Sequence, residues 1–267
     1  ISGLEFKKPI IMGVLNVTPD SFSDGGLFFN KSKALKHAKL MINDGAKIVD
    51  IGGESTRPGS KTISSKKEWE RVKSILINLK KKFPNTVLSL DTRKSDIMEK
   101  GYRYGVNIIN DVSGLNFDKS AFDVINKMKI PFILHHMQGT PNTMQINPKY
   151  DDVLLDIYDF FERKITNISN NKKIILDPGI GFGKTVEHNF KILSELNRFN
   201  NLELPLLIGP SRKSFIGLTL DLPPEDRLDG TAATVAVGVN NGARIIRVHD
   251  VKNMKRVVII ADKIRNA

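Results

Sequence analysis

Polar side chains in this chain recur at one kind of place, the C-terminal end of short apolar runs. Asn16, Asp50 to Glu54, Asp91 to Lys94, Asn110-Asp111, His135-His136, Asp177, Ser211-Arg212-Lys213 and Arg247-Val248-His249 each close such a run. A single residue of this kind is a loop residue by default. A series of them at the same end of successive elements reads as a binding site. Their chemistry sorts into two sets. Asp91, Asn110, Asp177 and Lys213 supply acceptors, an amide with both functions and a cation, which suit a heterocycle carrying ring N–H, amino and carbonyl groups. Arg57, Arg247 and His249 supply donors for a phosphate or diphosphate, whose oxygens match the arginine fork. Asn16 offers an amide oxygen for Mg²⁺, a hard ion that takes few protein oxygens alongside phosphate. Zinc on His135, His136 and His249 is disfavoured, because adjacent residues of a strand point to opposite faces. One of the paired histidines is better read as a hydrogen-bonded wall residue.

The segment DPGIGFGKT at 177–185 puts a carboxylate at a strand end beside three glycines and a lysine. It is not a Walker phosphate loop, since Pro178 stands where that motif's first glycine belongs. The glycines also miss the dinucleotide spacing. Taken alone, the segment indicates a polar ligand at a strand end.

The elements that must hold these residues follow from periodicity. Apolar runs at 10–15, 48–51, 87–90, 106–109, 132–134, 174–176, 206–208 and 245–248 are short and continuous, as in a buried parallel sheet. Amphipathic stretches lie between them. Trp69, Val72, Leu76 and Leu79 recur at helical spacing, with Ser65 and Glu68 as a capping box. Val251, Met254, Val258 and Ala261 repeat the pattern after Asp250, and Gly45 is placed to stop a helix. Eight strands alternating with about eight helices in 267 residues predict a single-domain α/β chain, a (β/α)8 TIM barrel spanning 1–267; an open doubly wound sheet is the alternative. There is no linker, low-complexity tract or internal repeat.

Composition narrows the classes further. No cysteine is present, which excludes disulfides and thiolate chemistry. No apolar run approaches the ~18 residues of a membrane span, so no membrane partner is expected. The N-terminus lacks a signal-peptide pattern, and the expected compartment is the cytoplasm. The net charge of +12 reads first as a lysine-rich surface. A small anionic ligand fits it better than nucleic acid, because no aromatic-basic ladder for bases accompanies it.

Eight segments, in order over almost the whole chain, together resemble the dihydropteroate synthase family: MGVLNVTPDSFSDGG at 12–26, GESTRPG at 53–59, DTRK at 91–94, NDVSG at 110–114, HMQGTP at 136–141, DPGIGFGKT at 177–185, SRKS at 211–214 and RVHD at 247–250. The doubled histidine at 135–136 is a mild local departure. The resemblance implies a (β/α)8 barrel that condenses p-aminobenzoate with a dihydropterin diphosphate to 7,8-dihydropteroate and pyrophosphate, in folate biosynthesis and with sensitivity to sulfonamides. It implies that Asp91, Asn110, Asp177 and Lys213 hold the pterin, with Met137 and Phe182 nearby. Asn16, Arg57, Arg247 and His249 would hold diphosphate, with Mg²⁺ on Asn16. Phe22, Thr56, Arg57, Pro58 and Ser214 would form the p-aminobenzoate pocket, and Lys213, Asp91, Asp177, Arg247 and His249 would carry catalysis. It is compatible with a homodimer. The first residue is Ile1, which leaves open a fusion to a hydroxymethyl-dihydropterin pyrophosphokinase.

The residues suit that chemistry without a strong base. The arylamine is neutral and nucleophilic, and the hard step is loss of pyrophosphate. Asp91 and Asp177, taken as anionic, would stabilise a cationic pterin. A pterin-binding methyltransferase domain of a corrinoid system would share the barrel but would not need the loops at 18–26 and 56–59. A binding-only or nucleic-acid protein would not need carboxylates among its cations. The segments at 18–29 and 56–65 are rich in Gly, Ser, Thr and Pro and are expected to act as lids.

Overall fold

The computed structural model describes residues 6–18, 27–168 and 173–267. Eight strands close into one barrel in sequence order, every neighbouring pair parallel, with β8 pairing back to β1. The strands are β1 (Ile10–Asn16), β2 (Ile48–Gly52), β3 (Val87–Asp91), β4 (Ile108–Asp111), β5 (Phe132–His135), β6 (Ile174–Asp177), β7 (Leu206–Ile208) and β8 (Ala243–Val248). All eight predicted runs are strands. Most extend one residue further than the apolar run, so the terminal polar residue is itself hydrogen-bonded into the sheet. β4 is displaced by two residues from its run: Val106 packs ahead of the strand, and Asn110 and Asp111 complete it.

The helices are α1 (Leu27–Asp44), α2 (Ser65–Lys82), α3 (Ser95–Arg103), α4 (Ala121–Lys127), α5 (Val153–Asn167), α6 (Val186–Ser194), α7 (Ser214–Leu220), α8 (Leu228–Asn240) and α9 (Val251–Arg265). Both α7 and α8 lie between β7 and β8, one helix more than simple alternation predicts. α1 starts at Leu27, so residues 27–29 belong to a helix and not to the first lid. Gly45 ends α1 at a φ of 108°, and Val251, Met254, Val258 and Ala261 form the buried stripe of α9.

The start of α2 differs from expectation. Its cap is Ser64, whose side chain accepts from the Lys67 N–H. Ser65 Oγ instead donates to Asp96, and Glu68 is wholly buried in an ion pair with Lys94 Nζ at 2.6 Å. A carboxylate committed to a buried cation is not available to close a capping box.

Period-2 geometry divides each strand's side chains between two cores. One face packs under the helices, as Leu15, Ile51, Leu90, Ile109, Leu134, Leu176, Ile208 and Ile246 do. The other fills the barrel, where each strand contributes one apolar residue to a separate cluster: Met12, Ile48, Val87, Ile108, Ile133, Ile175, Leu207 and Ile245. The strand residues two further on hold up the site.

Candidate active site

Two residues beyond that plug, β2, β3, β4, β5, β6 and β8 carry Asp50, Ser89, Asn110, His135, Asp177 and Arg247. The centre of this layer is Asp50, with no exposed surface. Its Oδ2 accepts from Arg247 Nε at 2.7 Å and from Asn110 Nδ2 at 3.0 Å. Arg247 Nη2 reaches on to Asp91 Oδ2 at 2.8 Å. Asp91, Asn110 and Arg247, assigned from the sequence to two ligands, therefore form one contiguous network. Asp50 was placed on the rim by sequence but given no role. A carboxylate inside the apolar strand Val49-Asp50-Ile51 was the available signal, because a charge so placed needs a partner.

One guanidinium faces two buried carboxylates here. Burial and the Asp50 charge push the Asp91 carboxyl up to about 8, against the pull of Arg247. Burial also raises Asp177, opposed chiefly by Lys213. The two carboxyls expected to be anionic are thus both pushed toward their protonated forms, Asp91 in competition with Asp50 for the single Arg247 guanidinium. Asp50 Oδ1, Asn110 Oδ1 and His135 Nδ1 are buried without a hydrogen-bond partner among the described residues. Such atoms are the polar contacts a heterocycle would complete.

The glycine segment after β6 forms the opposite wall. Asp177 Oδ1 accepts from the Gly179 N–H at 2.8 Å, folding the chain back at once. A Cβ on Gly179 would lie 1.8 Å from the His136 carbonyl oxygen, and one on Gly183 would lie 2.5 Å from that of Gln138. Both glycines have positive φ, so only glycine fits. The turn delivers Phe182 against Val112 and Met144, with Met137 packed on the same cluster. Lys213 Nζ lies 4.4 Å from the centre of the Phe182 ring and donates to the Ile180 carbonyl. Burial, offset by Asp177, lowers the Lys213 ammonium to about 7.

The paired histidines do face opposite ways. The His135 ring meets Phe182 edge-on, with Nε2 3.8 Å from Asp177 Oδ2. His136 packs on Phe160, and its Nδ1 is 3.0 Å from Lys184 Nζ. Lys184, unassigned from sequence, also donates to the Phe182 carbonyl at 3.0 Å. Among the described residues no three His, Asp or Glu side chains are grouped to hold a metal ion.

The rim completes the pocket. His249 Nδ1 is 3.1 Å from Ser211 Oγ. Desolvation, with Arg247 and Arg57 nearby, holds its imidazole neutral, below the ordinary range. Arg212 turns away: its fork grips Asp250 at 2.7 and 2.9 Å and its Nη1 binds the carbonyls of Pro224 and Glu225. That clamp sustains a φ of 55° at Arg212 and aims Lys213 inward, with Ser214 opening α7 at the surface. Asn16 ends β1. A Cβ on neighbouring Gly52 would come 3.5 Å from Asn16 Oδ1 and 3.7 Å from Asp91 Oδ2, so the missing side chain leaves space flanked by two hard oxygens. Thr56, Arg57 and Pro58 lie on the loop after β2, the last two exposed. Phe22, and with it most of the first lid, lies outside the described residues.

A closed parallel barrel with a polar floor, an aromatic wall and a cationic rim at the C-terminal ends of its strands is the site of a barrel enzyme for a polar, anionic small molecule. The pterin binding enzyme family matches residues 12–249. Over 255 residues the chain is 44% identical to the dihydropteroate synthase of Escherichia coli K12, covering 94% of this chain and 90% of that one. It is 42% identical over 266 residues to the dihydropteroate synthase of Bacillus subtilis 168, covering 99% and 92%. The Yersinia pestis dihydropteroate synthase, solved as a sulfonamide drug complex, superposes with a TM-score of 0.93 at 42% identity, covering 99% of this chain and 97% of that one. The chain belongs to the dihydropteroate synthases, within the pterin binding enzyme family.

Proposed function

We propose that the chain joins p-aminobenzoate to the methylene of a dihydropterin diphosphate, giving 7,8-dihydropteroate. The arylamine nitrogen forms the new C–N bond, the C–O bond to the diphosphate breaks with its electron pair, pyrophosphate leaves, and the amine's surplus proton passes to solvent. The observation that carries this reading is the Asp50–Asn110–Arg247–Asp91 network facing Asp177 and Lys213 at one mouth.

In this reading the pterin lies between Asp91, Asn110, Asp177 and Lys213, with Met137 and Phe182 against its ring. Arg247 keeps Nε on Asp50 and offers its remaining N–H groups to the diphosphate. His249 and Arg57 add donors from the rim. The space beside Asn16 and Gly52 suits Mg²⁺, which would neutralise charge gathering on the departing pyrophosphate. Asn16 would be the protein ligand, with substrate oxygens supplying the rest. Thr56, Arg57, Pro58 and Ser214 form the p-aminobenzoate side, where a sulfonamide would compete. Exposed Val237, Ile260 and Ile264 on α8 and α9 give a homodimer an apolar face, which equilibrium sedimentation tests.

A pyrophosphate-release assay with both substrates tests the activity. Release that depends on p-aminobenzoate supports the synthase. Binding of pterin without any release would favour a corrinoid-type methyltransferase domain instead.

A further inference from the structure

A second charged cluster lies behind the site, unused by the chemistry above. Glu54, just after β2, is buried and binds three partners at once. Its Oε2 accepts from Arg93 Nη2 at 2.7 Å and Nε at 3.3 Å. Its Oε1 accepts from Lys94 Nζ at 2.9 Å and from the backbone N–H of Ile63 at 2.8 Å. Lys94 also reaches Glu68 on α2, and Arg93 lies 4.2 Å over the Phe117 ring. Four ionised groups are thus withdrawn from water. Buried ion networks of this kind contribute little net stability compared with apolar packing, so their presence calls for another reason.

The geometry of the loop supplies one. Residues 53–64 connect β2 to α2, and the stretch 55–64 carries Thr56, Arg57 and Pro58. The Ile63–Glu54 bond joins the loop's far end to its near end. Arg71 Nη1 fixes the near end by donating to the Gly53 carbonyl at 2.7 Å. Inside the loop, Ser60 Oγ donates to the Ser55 carbonyl at 2.7 Å, and the Ser60 N–H reaches the Arg57 carbonyl at 3.1 Å. The tip reaches the loop after β5 through Gly59 N–H to the Pro141 carbonyl, 3.1 Å. Arg57 and Pro58 are exposed, so the stem of the loop sets where they stand. Arg93 and Lys94 lie two and three residues after Asp91, the end of β3, so one carboxylate ties the strand end of the pterin wall to the loop that faces the second substrate.

We propose that Glu54 is a positioning residue for p-aminobenzoate, acting through residues 55–64 by gripping the Ile63 N–H while Arg93 and Lys94 hold it in place. The proposal rests on the reading of Thr56, Arg57 and Pro58 as that substrate's wall.

Three variants test it: Glu54→Gln, Ile63→Pro and Arg57→Ala. Ile63→Pro deletes the N–H in a stretch without regular structure and leaves every buried charge paired, so it serves if Glu54→Gln folds poorly. The measurements are KM for each substrate, calorimetry with a pterin lacking the diphosphate, and melting temperature. Glu54→Gln and Ile63→Pro are expected to raise KM for p-aminobenzoate about tenfold or more, the scale of one lost anchoring contact. Pterin affinity should stay within about threefold, a change too small to reflect a lost contact. An unchanged p-aminobenzoate KM in Ile63→Pro, or equal losses for both substrates, overturns the anchor. Arg57→Ala separates the two claims. If it leaves p-aminobenzoate KM unchanged, the wall reading falls and takes the anchor with it. If it raises KM while the anchor variants do not, only the anchor falls.

Discussion

Ile133 and His135 stand two residues apart on β5, as do Ile175 and Asp177 on β6 and Ile245 and Arg247 on β8. All face the barrel interior. The lower member of each pair belongs to an apolar plug; the upper member is polar and bears on the pocket. The same backbone supports both depths, yet their energetics oppose one another. The plug gains from leaving water. The upper layer pays desolvation for Asp50 and Asp177 and leaves polar atoms awaiting partners. A barrel can carry that cost because the plug two residues below seals it. Stability and function are therefore separable by a step of two along a strand.

The largest test of that separation removes plug volume. Ile133→Ala should lower unfolding free energy by about 2–5 kcal/mol, the usual cost of a buried cavity. Substrate KM values should hold at temperatures where the variant stays folded. Denaturant melts with parallel kinetics decide it: lost turnover at unchanged stability would show that the two depths are coupled.

The upper layer should behave in the reverse way. Lys213→Ala is expected to cost turnover about 30- to 1000-fold, or about 2–4 kcal/mol, with a smaller loss of stability than Ile133→Ala, because its ammonium is held by one carbonyl and one ring face. Steady-state rates within a factor of about three of the parent, less than one hydrogen bond is worth, would remove Lys213 from the site.

Asp177→Asn should act more narrowly. The amide oxygen can keep the Gly179 N–H, which turns an NH₂ toward ring donors that need an acceptor. Affinity for a pterin lacking the diphosphate should fall by about 1–3 kcal/mol. Calorimetry showing no loss would place the pterin elsewhere.

The plug and rim were legible because both follow strand periodicity: every apolar run became a strand, and most of the polar residues after the runs surround one mouth. What the sequence hid are contacts made across the barrel. Nothing local marks Asp50 as the hinge between Asn110 and Arg247, since its partners lie 60 and 197 positions away. Glu68 looked like a cap because Lys94, its actual partner, is 26 positions on. The raised Asp91 carboxyl was equally hidden, because burial and a second carboxylate are facts of three dimensions. Arg212, sandwiched between site residues in SRKS, gives no sequence sign that its fork points outward to Asp250.

A pH profile reads the electrostatics of the pocket directly. Lys213 is held at about 7 by burial, so it is charged below that pH and neutral above it. If the charged form binds the pterin diphosphate, kcat/KM for that substrate is level near pH 6 and declines as pH rises through 7. The decline approaches tenfold per unit. Asp91, at about 8, loses its proton over an overlapping range, so Asp91→Asn removes that limb from the profile. In that background Lys213→Arg supplies the contrast, because a guanidinium stays charged throughout. The arginine variant should be slower at pH 6, its fork being a poor match for an ammonium site, but its profile should stay level to pH 9. A falling limb near pH 7 that survives Lys213→Arg would assign the titration to another group and leave the plug and the pocket walls distinguished by packing alone.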